Sequence, residues 1–486
     1  GPISRWRVFS FTRVDDPQLE IAVSADGKEY QPVAADRRGF ASGQTVYGYL
    51  TPVLFEGAGG ANEARHLRIG MPGALPPRAG DKSNEAPLEI GRIEIEYDRA
   101  AEQTAEDVKK PAGKPAPVNA AIFVDNPRFI RGTLAAIEKA AARGDRRLNV
   151  VVTIQADLTD DFRIKRFGWH GPAWEFVPAD EAMHAHLKSA LRQVFAKMVE
   201  HDMDIYILPH IDAGGRVRTW RNWVDFDPRD EFAGYSYEKL MIDSIAGALA
   251  ETMGESTKVE LALSGEMGTS LFRYPESYRE IVRRLREESG TKRAKVGFSL
   301  NHDKIAGNEN PSGVVDIQLT EEGRREMQAL IDECDFVGMS FYRPVSLPPT
   351  VADFVSGIDA FMSEFARHGL SIPAHTPLHF SEVGIGGGEV RRGSEPDPMK
   401  AVAAPWEGSG FARRNPWRTD KMTQLRRQYH QALLDFLGEQ PARWNVTAAF
   451  FWSMGSWDPQ GMQGSAFADP QIVDAILRHN RKSSER

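Results

Sequence analysis

The stretch 377-PLHFSEVGIGGG-388, taken with its counterpart 258-KVELALSGEMGTS-270, decides how the chain is read. Each opens as a short apolar run with strand character, stops at a glutamate (Glu382 and Glu266) and passes into a glycine-containing loop. A strand-end ionisable group, on a loop that lets a ligand come close, is how α/β barrels place reactive side chains at their mouth. One such glutamate reads equally well as a solvated loop residue. A pair gains meaning from the strands that surround it.

Those strands are 120-AAIFV-124, 148-LNVVVTI-154, 204-DIYILPH-210, 258-KVELALS-264, 295-KVGFSL-300, 335-DFVGMSF-341, 378-LHFSE-382 and 447-TAAFFWSM-454. Amphipathic helical stretches fall at 133–144, 180–202, 236–254, 275–289, 321–333, 353–369 and 420–439, and a last one at 470–481 follows the eighth strand. Apolar strands alternating with helices imply βα units and a parallel sheet. Eight of each predict an α/β fold, a (β/α)8 TIM barrel over 119–486, enlarged by long loops at 155–179, 211–235 and 383–419. A doubly wound open sheet would carry a glycine-rich phosphate turn after its first strand. The text there is 125-DNPRFIRG-132, which is no such turn.

Residues 1–98 read instead as an all-β sandwich domain, with short runs 19-LEIAVS-24, 66-HLRIG-70 and 92-RIEIEY-97 punctuated by turn signals. The segments 19-LEIAVSADGKEYQPV-33, 64-ARHLRIGMPG-73 and 91-GRIEIEYD-98 resemble the discoidin-like (galactose-binding-like) sandwich family in an S-x-D-G turn, a following aromatic and an A-R-x-x-R-I strand. That resemblance implies an accessory domain, more often scaffold than sugar binder. Residues 99–118, rich in Ala, Lys and Pro, have linker composition.

The net charge of −8 argues against nucleic acid or an anionic membrane surface as partner, and no apolar run is long enough for a membrane span. Cys334 is the only cysteine, so disulfides and cysteine zinc clusters are excluded within the chain, and it reads as a buried inert thiol. The opening Gly1-Pro2 looks like a protease-tag scar, so the missing leader carries no information about export.

On the strand count, Glu266 closes the fourth strand and Glu382 the seventh, so two carboxylates face each other across the barrel mouth, as acid/base and nucleophilic work on a glycosidic bond requires. At these positions the 119–481 region resembles the retaining glycoside hydrolases of clan A. The resemblance implies Glu266 as general acid/base and Glu382 as nucleophile. In 335-DFVGMSFY-342 it implies that Tyr342 hydrogen-bonds the nucleophile, and in 448-AAFFWS-453 that Trp452 floors the sugar at the cleavage point. Chemistry adds that Glu266 needs an environment raising its pKa, while Glu382 stays charged beside donors such as Tyr342. Aromatic platforms for sugar rings are sought among Trp169, Trp174, Trp220, Trp223, Trp406, Trp417 and Trp457.

One departure stands out. Many clan members carry, before the acid/base, an asparagine that holds the sugar 2-hydroxyl; here the text is 264-SGE-266. Replacements are sought at other strand ends: His210 and Asp212, Asn301 and His302, Gln155, and more weakly Asp125 and Asn126.

The expectation is therefore a retaining, endo-acting glycosidase on a poly- or oligosaccharide, with no cofactor or metal, periplasmic or secreted by reason of its substrate. Partners in an exopolysaccharide system are left open. The alternatives are a non-catalytic carbohydrate-binding barrel and a metal-dependent deacetylase or amidohydrolase. His184-x-His186 supports the last poorly, because positions i and i+2 of a helix point to different faces. No G-x-x-x-x-G-K-[ST] exists, and 384-GIGGG-388 does not open a helix, so nucleotide binding is not expected.

Overall fold

The computed structural model describes residues 2–12, 18–39, 51–58, 64–70, 88–97, 115–171, 175–288, 290–308, 316–439 and 444–485. They divide into two compact units, Gly1–Lys110 and Pro111–Arg486. Most of the expected linker, together with Trp174, lies outside the described residues.

The N-terminal unit is two antiparallel sheets. One orders the strands Asp36–Gly39, Thr51–Ala58, Ile3–Thr12 and Leu88–Tyr97; the other orders Gln31–Pro32, Glu20–Ser24 and His66–Gly70. Period-two alternation turns Trp6 and Val8 into a core shared with Val53 and Phe55 and with Ile21 of the second sheet. Arg5 and Arg7, on the opposite face, pair with Glu56 and Glu94. The S-x-D-G signal is turn chemistry. Ser24 Oγ accepts from the Gly27 amide at 2.9 Å, Asp26 Oδ1 accepts from Lys28 at 2.9 Å, and Gly27 takes φ +76°. The aromatic after it, Tyr30, receives the guanidinium of Arg68 at 4.5 Å, which ties the two quoted segments together.

The second unit is a closed (β/α)8 barrel. Its strands are β1 Val118–Val124, β2 Arg147–Leu158, β3 Asp204–Ala213, β4 Val259–Gly265, β5 Lys295–Asn301, β6 Phe336–Phe341, β7 Pro377–Val383 and β8 Asn445–Phe451. Each pairs in parallel with the next; β8 pairs with β1 (Ala449 opposite Val118) and β1 with β2 (Ala120 opposite Leu148). These strands are apolar almost throughout because one face packs on the helical layer and the other fills the lumen. Tyr206, Leu208, Phe336, Phe450 and small residues such as Ala121, Ala262 and Ala448 plug the interior, with Trp452 packed against them. The plug leaves the mouth as the place for a ligand.

Two loops hold more structure than their sequence suggests. In 155–179, β2 runs on to Leu158 and is joined antiparallel by Ile164–His170, which pairs in turn with Phe176–Pro178. The run 164-IKRFGWH-170 escapes a periodicity reading because its pattern is mixed with charge, yet Phe167 and Trp169 are fully buried. After β4 a short helix, Gly268–Arg273, starts directly behind Glu266.

Trp6 is fully buried and its Nε1 donates to the Ala58 carbonyl at 3.0 Å. Trp6→Ala is expected to cost the N-terminal unit roughly 3–5 kcal/mol, read from its denaturant unfolding transition. A loss below about 1 kcal/mol would show that Trp6 does not organise that core.

Candidate active site

Local irregularities at the strand ends aim the two glutamates. The β4–β5 register slips between Ala262 and Gly265, and Glu266 follows with φ +58°, a left-handed conformation that costs a non-glycine residue energy. Its amide donates to the Ser299 carbonyl at 3.1 Å, which holds the bend. On the far side, the β6–β7 register slips between Met339 and Ser340, where Ser340 comes to lie opposite Glu382. The segment carrying Trp220 and Arg221 is pinned by Asn222, which is fully buried. Asn222 donates to the Lys304 carbonyl at 2.8 Å and accepts from the Gly268 amide at 2.9 Å, so the loops after β3, β4 and β5 share one anchor.

Both carboxyls are buried, and each is held by one oxygen. Glu382 Oε2 accepts from Tyr342 Oη at 3.0 Å; its Oε1 is buried, has no hydrogen-bond partner among the described residues, and lies 3.0 Å from His210 Nε2. Glu266 Oε2 accepts from Trp220 Nε1 at 3.0 Å, with Arg221 Nη1 at 3.5 Å. Arg221 also grips Asp212 Oδ1 through Nε at 3.0 Å and Nη2 at 2.8 Å, and its Nη1 stands 3.3 Å from His210 Nε2.

The electrostatics follow from this packing. Burial raises the Glu266 carboxyl, and the charge of Glu382 raises it further against the pull of Arg221. Burial also pushes Glu382 up to about 7, opposed by Arg221 and by the Tyr342 hydroxyl. The expectation of a simply charged Glu382 thus needs amending: its donors are in place, but its desolvation outweighs them. Burial, then Arg221, pushes His210 down to about 3, so the ring is neutral at ordinary pH. For Arg221 itself burial works against the charge, but Asp212, Glu266 and Glu382 more than compensate.

Glu266 and Glu382 line one cavity of about 580 Å³ with Trp220, Arg221, Asn301, His302, Asp303, Lys304, Tyr342, Trp406, Trp452 and Trp457. The expected residues therefore separate into groups. Trp220, Tyr342, Trp452, Trp457, Asn301 and His302 reach the cavity; His210 and Asp212 stand behind it through Arg221. Asn301 turns its amide onto Asp303 Oδ1 at 2.6 Å. Gln155 is buried against Gly214 with its Oε1 unpartnered among the described residues. Asn126 ties its loop to the His170 carbonyl at 3.1 Å, and Asp125 is raised by burial.

Among the tryptophans, Trp406 is 51% exposed at the rim, whereas Trp169 (0%) and Trp417 (7%) are packing residues and not platforms. The glycines after Glu382 make room for indoles. A Cβ on Gly386 would meet Trp457 Cε2 at 2.5 Å, one on Gly408 would meet Trp457 Cζ2 at 2.8 Å, and one on Gly387 would meet Trp417 Cζ2 at 2.9 Å. Arg221 is a cavity residue that sequence reasoning passed over. Its only signal was a lone arginine between tryptophans in 220-WRNW-223.

No protein-family profile matches the chain, and no curated protein matches it. Among solved structures it is similar to a GH113 β-1,4-mannanase (12% identity, TM-score 0.43, covering 76% of this chain and 99% of that one). It is also similar to the GH113 β-mannanase AaManA from Alicyclobacillus acidocaldarius in complex with ManMIm (14%, 0.46, 77% and 98%). A third likeness is to a GH5-4 broad specificity endoglucanase from an uncultured bacterium (15%, 0.40, 77% and 95%). At these levels the chemistry of the site rests on its own geometry.

Removing the Tyr342 hydroxyl takes away a donor that lowers the Glu382 pKa. Tyr342→Phe is expected to move that carboxyl above its value of about 7. Carboxyl carbon titration by NMR, assigned with Glu382→Gln, checks the direction; a fall would show that the donor is not felt.

Proposed function

We propose that the protein is a retaining glycoside hydrolase acting on a poly- or oligosaccharide by double displacement. The observation that carries this reading is the pair of buried carboxyls in one aromatic-lined cavity, each anchored through one oxygen and leaving the other for chemistry. Glu382 Oε1 attacks the anomeric carbon while Glu266 gives its proton to the departing glycosidic oxygen, releasing an alcohol and leaving a glycosyl ester on Glu382. A water then loses a proton to Glu266 and attacks the same carbon, and the ester bond breaks to restore the Glu382 carboxylate. Two inversions at that carbon give net retention.

The negative charge on Glu382 helps Glu266 keep its proton, which is the division of labour the first step requires. Trp452 and Trp457 offer apolar faces to a ring at the cleavage point, and the half-exposed Trp406 at the rim suits a chain running onward, hence endo action. We read the N-terminal unit as a discoidin-like accessory domain and, from the proposed substrate class alone, expect the enzyme in the periplasm or outside the cell. Among the described residues there is no cluster of three or more side chains suited to a metal, and His184 is hydrogen-bonded to Ser244 at 3.0 Å, so no observation favours the deacetylase alternative.

Glu266→Gln and Glu382→Gln are each expected to lose on the order of 10³-fold in kcat/KM on the glycan that wild type cuts with retention of the anomer. The test is reducing-end release and anomer NMR over a polysaccharide panel; undiminished hydrolysis in both variants refutes the assignment, and binding without hydrolysis by wild type selects the non-catalytic reading. The pH profile of kcat/KM is expected to be bell-shaped. It falls on the acid side as Glu382, with its pKa of about 7, gains a proton and stops being a nucleophile, and on the alkaline side as Glu266 loses the proton it must donate. An acid limb unmoved by Tyr342→Phe would detach it from Glu382.

A further inference from the structure

The loop after β7 closes with 411-FARRNPWR-418, three arginines with no acid among them. Phe411 is 59% exposed, yet its backbone is firmly held. Its amide donates to Ser409 Oγ at 3.1 Å, and the Ser409 amide donates to Ser456 Oγ at 2.8 Å. The Ser456 carbonyl in turn accepts from Trp417 Nε1 at 2.7 Å. A phenyl ring held in water contributes no burial to the fold. Arg413 and Arg414 each set a guanidinium 5.6 Å from the centre of that ring, and neither side chain has a hydrogen bond or a carboxylate partner among the described residues. By contrast, Arg427, on the helix Asp420–Gly438 that follows, is paired with Asp469 at 2.8 Å.

The same segment borders the cavity. Trp406 lines it, and so does Trp457, the neighbour of Ser456, whose Nε1 donates to the Pro405 carbonyl at 2.9 Å. Phe411 follows Trp406 by five positions, so their backbones are at most about 18 Å apart. A glycan leaving the cavity past Trp406 and Trp457 has a second ring within reach, flanked by two cations. We propose that Phe411, Arg413 and Arg414 form an outer subsite for an acidic sugar, one carrying a carboxylate or a sulfate, and that the substrate is an acidic heteropolysaccharide cut at a neutral residue. This rests on the glycosidase reading above and adds its substrate class. Phe411 offers an apolar face to a sugar ring, and the two guanidiniums offer forked N–H donors to the oxygens of the acid. The cleavage point suits no such group. Glu382 must be charged to attack, Arg221 is already held by Asp212 and Glu266, and the cavity matches Lys304 with Asp303. A negative group on the attacked ring is therefore repelled there, while one farther along the chain is attracted at the rim. That separation selects a mixed chain over a polymer of acidic sugars alone.

Binding is measured in the Glu382→Gln background, where turnover is expected to stop, with gellan, xanthan and a sulfated galactan, each beside its carboxyl-reduced or desulfated form. The expected result is tighter binding of the charged member of a pair, weakening as salt is raised. Combining Arg413→Gln with Arg414→Gln is expected to cut that preference about tenfold or more. Phe411→Ala is expected to weaken the charged and the neutral member alike. Which pair responds separates carboxylate from sulfate. Thermal midpoints equal to that of the parent show that these surface variants fold as it does. A preference kept in the double variant, or none in any pair, overturns the outer subsite. Arginine-dependent binding to phosphatidylglycerol vesicles, without any glycan preference, marks a lipid surface and overturns it too. Hydrolysis is read apart, in wild type. If wild type cuts these glycans with no charge preference, the hydrolase reading stands and the outer subsite falls. If it cuts none while the arginine-dependent preference holds, the hydrolase reading falls and the site for the acidic sugar stands.

Discussion

Arg221 is the point on which the site depends. Three carboxyls, on Asp212, Glu266 and Glu382, are gathered around one guanidinium at the top of the barrel. Two of them, Glu266 and Glu382, are buried, and burying a carboxylate costs several kcal/mol, which favours its protonated form. Burial raises both glutamates, and the Glu382 charge raises Glu266 further. Arg221 keeps the arrangement from being worse than this, and Asn222, the next residue, fixes where Arg221 stands.

Around that cluster the architecture is a matter of clearance. Gly265 leaves room for His210, and the 384-GIGGG-388 run with Gly408 leaves room for Trp457 and Trp417. These glycines are not phosphate turns. They let flat rings come within a few ångströms of the backbone next to Glu266 and Glu382, so ring and carboxyl positions are set by close packing.

The barrel was legible because its strands are apolar on both faces and separated by amphipathic helices, a pattern few other folds share. The two strand-end glutamates were legible for the same reason: once the strands are counted, 263-LSGE-266 and 380-FSE-382 can only end at the mouth. The hairpin Ile164–His170 was not legible, since its pairing partner is the extension of β2 and neither half alternates cleanly. Nor could the tryptophans be sorted. Trp169 and Trp406 look alike in sequence, yet one is enclosed by the core and the other is half in solvent. The S-x-D-G motif of the N-terminal unit carries a turn whose hydrogen bonds explain it without any ligand.

By itself the sequence determined the fold class, the order of the strands and the two glutamates, because periodicity and strand ends are local properties of the chain. Tertiary structure decided which oxygen of each glutamate is held and which is free. It also brought Arg221 from the loop after β3 against the Glu266 carboxyl that follows β4, set His210 against Glu382 of β7, and put the His210 ring in the space that Gly265 leaves empty. Those are contacts between residues 45 to 172 positions apart, and nothing in the local pattern of either partner encodes their distance. Electrostatics in a buried cluster depends on such distances, so the balance of charge among these groups became readable only once the barrel had closed.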